Sequence, residues 1–320
     1  MARKRKGRPI DGWLSIDKPL GLSSAQVVGK VRRLLDADKV GHGGTLDPLA
    51  SGVLPIALGE ATKTVQYVMD GAKTYRCTVR WGEATSTEDR EGEVIATSDV
   101  RPDEAAILAV LPRFTGEIEQ VPPAFSAIKV NGERAYDLAR AGETVELKSR
   151  LVRIDRLSYL GSSDPDHAEF EVHCGKGTYI RSLARDIALA LGTVGHIAAL
   201  RRTACGPFTE AQSISLESLE VVGQGPSLRS CLLPIATALD DIPALALNEA
   251  DARRLQSGGP VPLARAASSH PQAEIASGIP CRAMVGELLV ALVRIESGMI
   301  RPVRVMTLDR SEGADDVDHP

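Results

Sequence analysis

The segment from Gly41 to Gly52 has the composition of a ligand-binding loop. Its glycines allow the backbone to approach a ligand in conformations that other residues avoid. Pro48 disfavours helical angles at Asp47, so the one carboxylate of the loop is held on an extended, stiff corner. The loop has neither the Lys-Ser or Lys-Thr of a P-loop nor a G-x-G-x-x-G fingerprint. Asp47 is therefore a candidate for nucleophilic or acid–base chemistry, although an Asp-Pro pair is also typical of ordinary turns.

Two stretches beside this loop have clear periodicity. Apolar residues at helical spacing after a serine cap, Ser23 or Ser24, predict a helix that ends near Leu35. Strict alternation over residues 75–81 predicts a strand. Tyr75 would therefore lie at the start of that strand, on its buried face.

The residues before and after Arg181 indicate a change from strand to helix. Alternation over residues 168–174 predicts a strand, which Gly175 and Gly177 end. Apolar residues at helical spacing then predict a helix that Gly192 stops. Arg181 lies at this junction. Without further information, a cation there is more often a solvated surface charge.

The middle of the chain contains a segment that departs from the body of the fold. Residues 124–150 combine a strand-like piece, an Asn131-Gly132 turn and a short helix over 134–141. Gly and Pro breakers between 221 and 243 then favour a domain boundary.

Beyond that boundary the pattern predicts a small, mostly β module. Asn248 can cap a short helix over 249–256, and apolar runs at 287–295 and 303–306 flank a turn. The predicted module spans residues 246–308.

Composition excludes several classes of protein. The 320 residues suffice for two domains, and no apolar run approaches the ~18 residues of a membrane span. The net charge of −4 conceals a basic start and an acidic end, so the tails 1–8 and 309–320 are expected to be disordered. Five cysteines without a C-x-x-C pair and dispersed histidines predict reduced thiols, no metal site and a cytoplasmic location.

Several segments resemble the TruB family of pseudouridine synthases. Residues 42–52, His-Gly-Gly-Thr-Leu-Asp-Pro-Leu-Ala-Ser-Gly, are similar to the catalytic signature of that family. Further blocks resemble those of the family in the same order, at residues 17–24, 73–76, 121–129, 177–186 and 200–203. The resemblance covers about residues 9–215, and the Ala-Ser-Gly ending is similar to the bacterial members that act without a guide RNA.

The resemblance implies an isomerisation in which uracil leaves the sugar, turns and rejoins through C5. Asp47 would be the essential group, either as a nucleophile or as the base that takes a sugar proton. Arg181 would pair with that carboxylate. The reaction needs no redox cofactor and no metal.

The resemblance also implies roles for residues around the target uridine, which must be extruded from the RNA fold. Tyr75 would stack on the detached base or take a proton from its C5, and His42 would occupy the vacated stack. Leu200 would lie against the face of the uracil. Tyr179 would lie near Asp47 as a polar partner.

The matching blocks contain candidates for contacts to RNA phosphates and for a mobile segment that grips the RNA: Lys18 with Pro19, Lys129, Arg201 and Arg202. Together they would form a basic surface, and binding should weaken steeply with salt. Each residue alone is more often a solvated charge.

We therefore expect an α/β (α+β) catalytic domain over residues 9–245, with a mixed, mostly antiparallel sheet and flanking helices. Residues 124–150 would form its RNA-gripping insertion. Residues 246–308, with their Gly258-Gly259 turn and two late strands, resemble the PUA domain of many family members, which implies a PUA-like RNA-binding domain. The expected substrate is uridine 55 in the T stem-loop of tRNA. The enzyme would act as a cytoplasmic monomer without a membrane, a protein partner or a guide RNA.

Two other classes of function stay open. One is a non-catalytic protein that binds or folds tRNA on the same scaffold, against which the intact Asp47, Tyr75 and Arg181 argue. The other is a nucleoside hydrolase that uses Asp47 to cleave an N-glycosidic bond. A single aspartate with basic flanks of RNA-binding size disfavours it.

Overall fold

A computed structural model of the chain describes residues 7–126, 128–130, 133–135, 138, 147–223, 227–268, 275 and 278–307. The strands, numbered in chain order, are β1 (Gly12–Lys18), β2 (Val40–His42), β3 (Ala50–Leu58), β4 (Lys73–Trp81), β5 (Glu83–Thr85), β6 (Val94–Thr97), β7 (Gly116–Gln120), β8 (Lys129–Val130), β9 (Glu133–Arg134), β10 (Arg150–Asp164), β11 (His167–Cys174), β12 (Gly195–Cys205), β13 (Phe208–Thr209), β14 (Ala244–Ala246), β15 (Val261–Pro262), β16 (Ala267–Ser268), β17 (Cys281–Val285), β18 (Leu288–Glu296) and β19 (Met299–Val305). The α-helices are α1 (Ser24–Leu35), α2 (Val65–Asp70), α3 (Glu104–Val110), α4 (Ile180–Ala190), α5 (Leu216–Val222), α6 (Leu228–Cys231) and α7 (Glu249–Gln256). Short 3-10 helices occupy Gly59–Lys63, Leu111–Phe114, Glu210–Gln212, Ile235–Leu239 and Leu263–Arg265.

The larger sheet is mixed and mostly antiparallel, as predicted. Its strand order is β1-β3-β12-β4-β11-β10-β7, with β2 paired to β3 and β13 to β12. β12 runs parallel to β3, and Leu200 pairs with Ala50 there. The other neighbours in that order are antiparallel. The loop that contains Asp47 connects β2 to β3, so it lies beside this parallel pair.

β3 is buried on both faces, which explains its nearly continuous apolar sequence. Leu54 and Ile56 pack against α1 on one face. Val53 and Ala57 pack on the other face, against residues of the second sheet. This central strand therefore gives the loop before it a rigid base.

α1 begins where the sequence predicts. The Ser23 hydroxyl accepts a hydrogen bond from the Gln26 amide at 3.2 Å, and the Gln26 side chain accepts one from the Ser23 amide at 2.8 Å. The helix buries Val27, Val31 and Leu35. This capping box fixes the start of the helix next to the Asp47 loop.

β4, β11 and α4 form the core on the other side of the sheet. The alternation in β4 buries Cys77, Val79 and Trp81, and β11 buries Phe170 in the same cluster. α4 packs its apolar face on these strands. These elements confirm the predicted strands and helix, with Arg181 in the first turn of α4.

A second sheet, with strand order β15-β19-β18-β17-β14-β16, begins at Ala244. The predicted helix of this module is present, capped by the Asn248 side chain, which accepts from the Asp251 amide at 2.9 Å. Leu289 and Leu292 of β18 pack in one cluster with Trp13 of the first sheet. The two sheets therefore share a hydrophobic core.

One expectation changes with the structure, and another lies partly outside the described residues. Arg8 is not part of a disordered tail, because its backbone pairs with Ala37. Of the predicted 124–150 segment, β8 and β9 pair as a hairpin, whereas the Asn131-Gly132 turn and most of the 134–141 helix lie outside the described residues.

Candidate active site

Arg202 of β12 fixes the Asp47 loop from inside the fold. Its guanidinium donates to the carbonyls of Val53 at 2.8 Å, Gly44 at 3.1 Å and Thr45 at 3.3 Å, and the residue is 1% exposed. At Gly52, where φ is +99°, an added Cβ would lie 2.2 Å from the Arg202 carbonyl oxygen. Glycine is required there because β3 and β12 approach so closely.

Lys18 and Ser24 hold the same loop from the side of β1 and α1. The Lys18 ammonium donates to the carbonyls of Leu22 at 2.6 Å, Pro19 at 3.0 Å and Pro48 at 3.4 Å. The Ser24 hydroxyl accepts from the Leu46 amide at 2.8 Å and donates to the Leu46 carbonyl at 3.0 Å. Burial lowers the pKa of Lys18 to about 8, and the nearby Asp47 carboxylate opposes this shift.

The structure corrects the expectation that Lys18 and Arg202 contact RNA phosphates. Lys18 is 0% exposed and Arg202 is 1% exposed, and carbonyl oxygens of the protein occupy their donors. Neither side chain faces outward to an RNA backbone. Both cations shape the loop around Asp47.

Arg181 reaches the Asp47 carboxylate. One terminal nitrogen, Nη2, lies 3.0 Å from Asp47 Oδ2 and donates to the Phe125 carbonyl at 2.9 Å. The other, Nη1, donates to the Thr87 carbonyl at 2.8 Å. The Arg181 side chain is 6% exposed and that of Asp47 is 41% exposed. A buried, fixed cation thus orients a carboxylate that is open to a ligand.

Asp89 is a second carboxylate at this arginine, and sequence reasoning missed it. Its Oδ2 lies 4.0 Å from Arg181 Nε, and its Oδ1 accepts from the Thr87 hydroxyl at 2.5 Å and the Glu91 amide at 3.0 Å. The residue is 7% exposed. Its charge-rich surroundings in the sequence are typical of a solvated turn, so no local signal distinguishes it.

A cleft lies over these residues in two adjacent parts. A small cavity of about 10 Å³ is lined by Asp47, Asp89 and Arg181. A larger cavity of about 280 Å³ lies beside it. Leu49, Arg90, Ala198 and Leu200 line both. The small cavity has room for about one water molecule, so a nucleotide must displace some of these shared side chains to reach Asp47.

Tyr75 and Leu200 pack at the boundary between the two core clusters of the larger sheet. Leu200 lines the cleft next to Asp47, whereas Tyr75 is not among the cleft-lining residues. Burial raises the pKa of the Tyr75 phenol to about 12, although Arg202 beside it acts in the opposite direction. Near neutral pH this phenol stays protonated, a form that suits stacking or hydrogen-bond donation.

His42 lies at the start of the loop, half-buried. Its Nδ1 accepts from the Gly44 amide at 3.3 Å. Burial lowers the pKa of His42, and the neighbouring Arg202 charge lowers it further. The ring is therefore neutral near pH 7 and can stack without carrying a charge.

Tyr179 immediately precedes α4, and its role as a polar partner of Asp47 stays a prediction. Its backbone is tied to the Gln120 side chain, which accepts from the Tyr179 amide at 2.8 Å and donates to its carbonyl at 3.1 Å. The Arg150 guanidinium lies 4.8 Å from the centre of its ring. These contacts help to fix the start of α4.

The other predicted RNA contacts differ in their availability. Arg201 is partly exposed at the larger cavity, and its guanidinium contacts both Asp17 oxygens at 3.0 Å. Pro19 is partly exposed, and the side chain of Lys129 lies outside the described part of the chain. Arg90 was not predicted, yet it is exposed and lines both cavities.

Within the described residues, no cluster of three or more His, Cys, Asp or Glu side chains could hold a metal ion. None of the helices that the structure describes is long and apolar enough to span a membrane.

Comparisons with known proteins identify relatives of this chain. The TruB family pseudouridylate synthase N-terminal domain matches residues 32–180, and the tRNA pseudouridylate synthase B C-terminal domain matches residues 181–240. Two similar relatives are named tRNA pseudouridine synthase B. The protein from Rhodospirillum rubrum is 60% identical over 96% of this chain and 100% of its own length. The one from Caulobacter vibrioides is 52% identical over the same shares.

Among solved structures, a chain in a crystal structure of a Cbf5-Nop10-Gar1 complex is similar to this one. Its TM-score is 0.72 at 30% identity, over 92% of this chain and 84% of that chain. A second, in the structure of an H/ACA RNP bound to a substrate RNA containing 2'-deoxyuridine, has a TM-score of 0.72 at 26% identity over 95% and 91%.

The mixed sheet and the matches that span it define the protein as a pseudouridylate synthase, an RNA-modifying isomerase. The high sequence identity over the full length of these relatives narrows the class to one family. The chain belongs to the TruB family.

Proposed function

We propose that this enzyme converts uridine 55 in the T stem-loop of tRNA into pseudouridine, with Asp47 as its essential group. The names of its relatives support tRNA as the substrate. The observation that carries the assignment of Asp47 is its partly exposed carboxylate in the cleft, 3.0 Å from the buried Arg181 guanidinium. A carboxylate so oriented can act at the sugar or at the uracil.

The reaction exchanges one bond to the sugar for another. The N1–C1′ bond breaks, the uracil turns, and a C5–C1′ bond forms. N1 gains a proton while C5 loses one, so atoms balance without a further reactant. Asp47 either adds to the sugar or the uracil as a nucleophile or removes the C2′ proton as a base. Arg181 would hold the carboxylate in its reactive orientation in both routes.

The target base must leave the RNA stack to reach this carboxylate. The extruded nucleotide would enter through the larger cavity and displace the side chains shared by the two parts of the cleft. Leu200 would then lie against the uracil face, and Tyr75 would stack on the detached base, where its neutral phenol can also donate a hydrogen bond. The neutral ring of His42 would fill the place that the base leaves.

Arginines that line the cleft would bind the RNA backbone. Arg76, Arg90 and Arg201 all line the larger cavity. They replace the buried Lys18 and Arg202 as candidates for phosphate contacts, and Lys129 with the 124–150 segment would add to them.

The proposal also covers the two domains, the location and the partners of the enzyme. Residues 9–245 would form the catalytic domain, and residues 246–308 a PUA-like domain that extends the RNA-binding surface. The enzyme would act as a cytoplasmic monomer on tRNA, without a guide RNA or protein partner.

Incubation of the purified chain with unmodified tRNA carrying tritium at uridine C5 tests this function. We expect tritium release without free uracil, and release should disappear when only uridine 55 of the tRNA is replaced by cytidine. Binding without release would indicate a protein that only binds or folds tRNA. Free uracil would indicate a hydrolase.

A further inference from the structure

The loop that carries Asp89 is fastened to α4 through Glu88. This residue has a φ of +62°, in the left-handed region. A non-glycine residue there has a conformational cost of roughly 1–3 kcal/mol, which the surrounding contacts must offset. The backbone at Glu88 bonds on both sides: its amide donates to the Thr85 carbonyl at 3.1 Å, and its carbonyl accepts from the Ile197 amide at 3.0 Å.

The Glu88 carboxylate is bound by two side chains of α4. Its Oε2 accepts from the Ser182 hydroxyl at 3.1 Å, and its Oε1 contacts the Arg185 guanidinium. The Glu88 side chain is 14% exposed and that of Arg185 is 27% exposed. This pair is therefore largely withdrawn from solvent, where an ion pair is screened less than at the surface.

Arg185 and Arg181 lie one helical turn apart and connect the same two segments. Arg181 donates to the carbonyls of Thr87 and Phe125, at 2.8 and 2.9 Å. Arg185 contacts Glu88 and donates to the Val121 carbonyl at 3.0 Å. Both arginines thus join the Thr85–Asp89 turn to the segment after β7. Only Arg181 also reaches Asp47.

Neither Glu88 nor Arg185 lines the cleft, so neither is placed to touch the nucleotide. Their contacts instead restrain the turn that holds Asp89 and the Thr87 carbonyl against Arg181. If the turn relaxes, the guanidinium can rotate away from the Asp47 carboxylate, to which it is joined through a single nitrogen.

We propose that Glu88 and Arg185 are positioning residues that keep Arg181 aligned with Asp47 during pseudouridine formation. Glu88 supplies the charge that fixes the left-handed turn, and Arg185 ties that turn to the helix that carries Arg181. The inference rests on the proposed reaction at Asp47 and adds to it a support outside the cleft.

Single-turnover kinetics on tRNA test this role. Glu88→Gln removes the charge, and Glu88→Gly removes the carboxylate while suiting the left-handed backbone. We expect either change to lower the rate of tritium release by roughly ten- to hundredfold, because small misplacements of reacting groups have effects of this size. The dissociation constant for tRNA should stay within about threefold, since neither residue faces the RNA. The control is Glu83→Gln, which breaks the Arg80–Glu83 ion pair of 2.9 Å without touching Arg181.

The double variant Glu88→Gln/Arg185→Gln should be no slower than the slower single variant, since both act through one contact. Rates per folded molecule within twofold of wild type, or fully additive losses, would overturn the proposal. Normal rates in Glu88→Gly would do the same, because the carboxylate would then be dispensable. If the wild-type enzyme releases no tritium from tRNA, the proposed substrate fails instead, and the two failures are thereby distinguished.

Discussion

Asp47 is held between two regions. Each contains a buried arginine, and the two arginines have different hydrogen-bond partners. On one side, the loop from β2 to β3 is fixed by Arg202, whose guanidinium donates to three backbone carbonyls. On the other side, Arg181 of α4 binds carbonyls but also faces the carboxylates of Asp47 and Asp89. We call these the loop side and the helix side of the site.

The comparison shows that a buried cation can have a structural role, as Arg202 does, or a role in the reaction, as we propose for Arg181. Carbonyl acceptors do not change charge with pH, so the loop side gives a fixed shape. The helix side joins a cation to a carboxylate that the cleft leaves partly open, so its geometry enters the chemistry. Changes on the loop side should therefore act first on stability, and changes on the helix side first on the rate.

The largest effect on stability is expected from Arg202→Met on the loop side. The variant leaves three carbonyls without their donor, and each unsatisfied buried group costs about 1–3 kcal/mol. We expect the free energy of unfolding to fall by about 3–5 kcal/mol in denaturant titrations. A loss below about 1 kcal/mol would show that Arg202 does not hold the loop.

Arg181→Lys on the helix side should lower the rate with a much smaller loss of stability. An ammonium cannot replace the planar fork that reaches Asp47, Thr87 and Phe125 at once. We expect the single-turnover rate to fall by roughly 10²-fold, measured by tritium release. Unchanged kinetics would remove Arg181 from the site and end the contrast between the two sides.

Lys18 makes the contribution of the loop side to the free energy of unfolding depend on pH. Its pKa of about 8 in the folded chain lies below the ordinary value of 10.5. Between these values the unfolded chain binds more protons, so the contribution of Lys18 to the free energy of unfolding rises with pH. Below pH 8 both states are protonated and the contribution is constant.

We therefore expect the stability difference between wild type and Lys18→Met to grow in favour of wild type by about 2 kcal/mol from pH 8 to pH 10. Denaturant titrations at several pH values measure it. The exposed Lys30→Met serves as the matched lysine control. A difference that stays flat across this range would contradict the assigned burial of the ammonium.

The smallest effect is expected at the rim of the cleft, outside both sides. Arg90 is exposed, and among the described residues it has no ion pair or hydrogen bond. Arg90→Gln should reduce the slope of log affinity for tRNA against log salt by about 1 and leave stability unchanged. Arg33→Gln, at the far end of α1, should leave that slope as it is. Equal slopes in all three proteins would exclude Arg90 from the RNA interface.

The sequence predicts the elements that position the site more fully than it predicts the roles of individual cations. α1, β4, β11 and α4 have clear periodicity because each buries one face. The Asp47 loop is recognisable because its proline and glycines restrict the backbone locally. Their bounds and burial in the structure agree with these expectations.

The placement of Lys18, Arg202 and Asp89 was not predictable in the same way. Arg202 is buried by carbonyls more than 140 residues earlier in the chain, and Asp89 by a helix about 90 residues later. Partners so distant in sequence leave no local pattern. The general rule that charged residues are exposed therefore gives the wrong prediction for these side chains. β12 was missed for a related reason, because the buried arginine interrupts the alternation expected of a strand.

The central claim is that the Asp47 carboxylate, aligned by Arg181, performs the chemistry. Asp47→Asn nearly preserves the size of the side chain and removes its charge. We expect this variant to bind tRNA within about threefold of wild type, while tritium release in a single turnover falls by roughly 10⁴-fold or more. Substantial release by a folded, tRNA-bound Asp47→Asn enzyme would contradict the account.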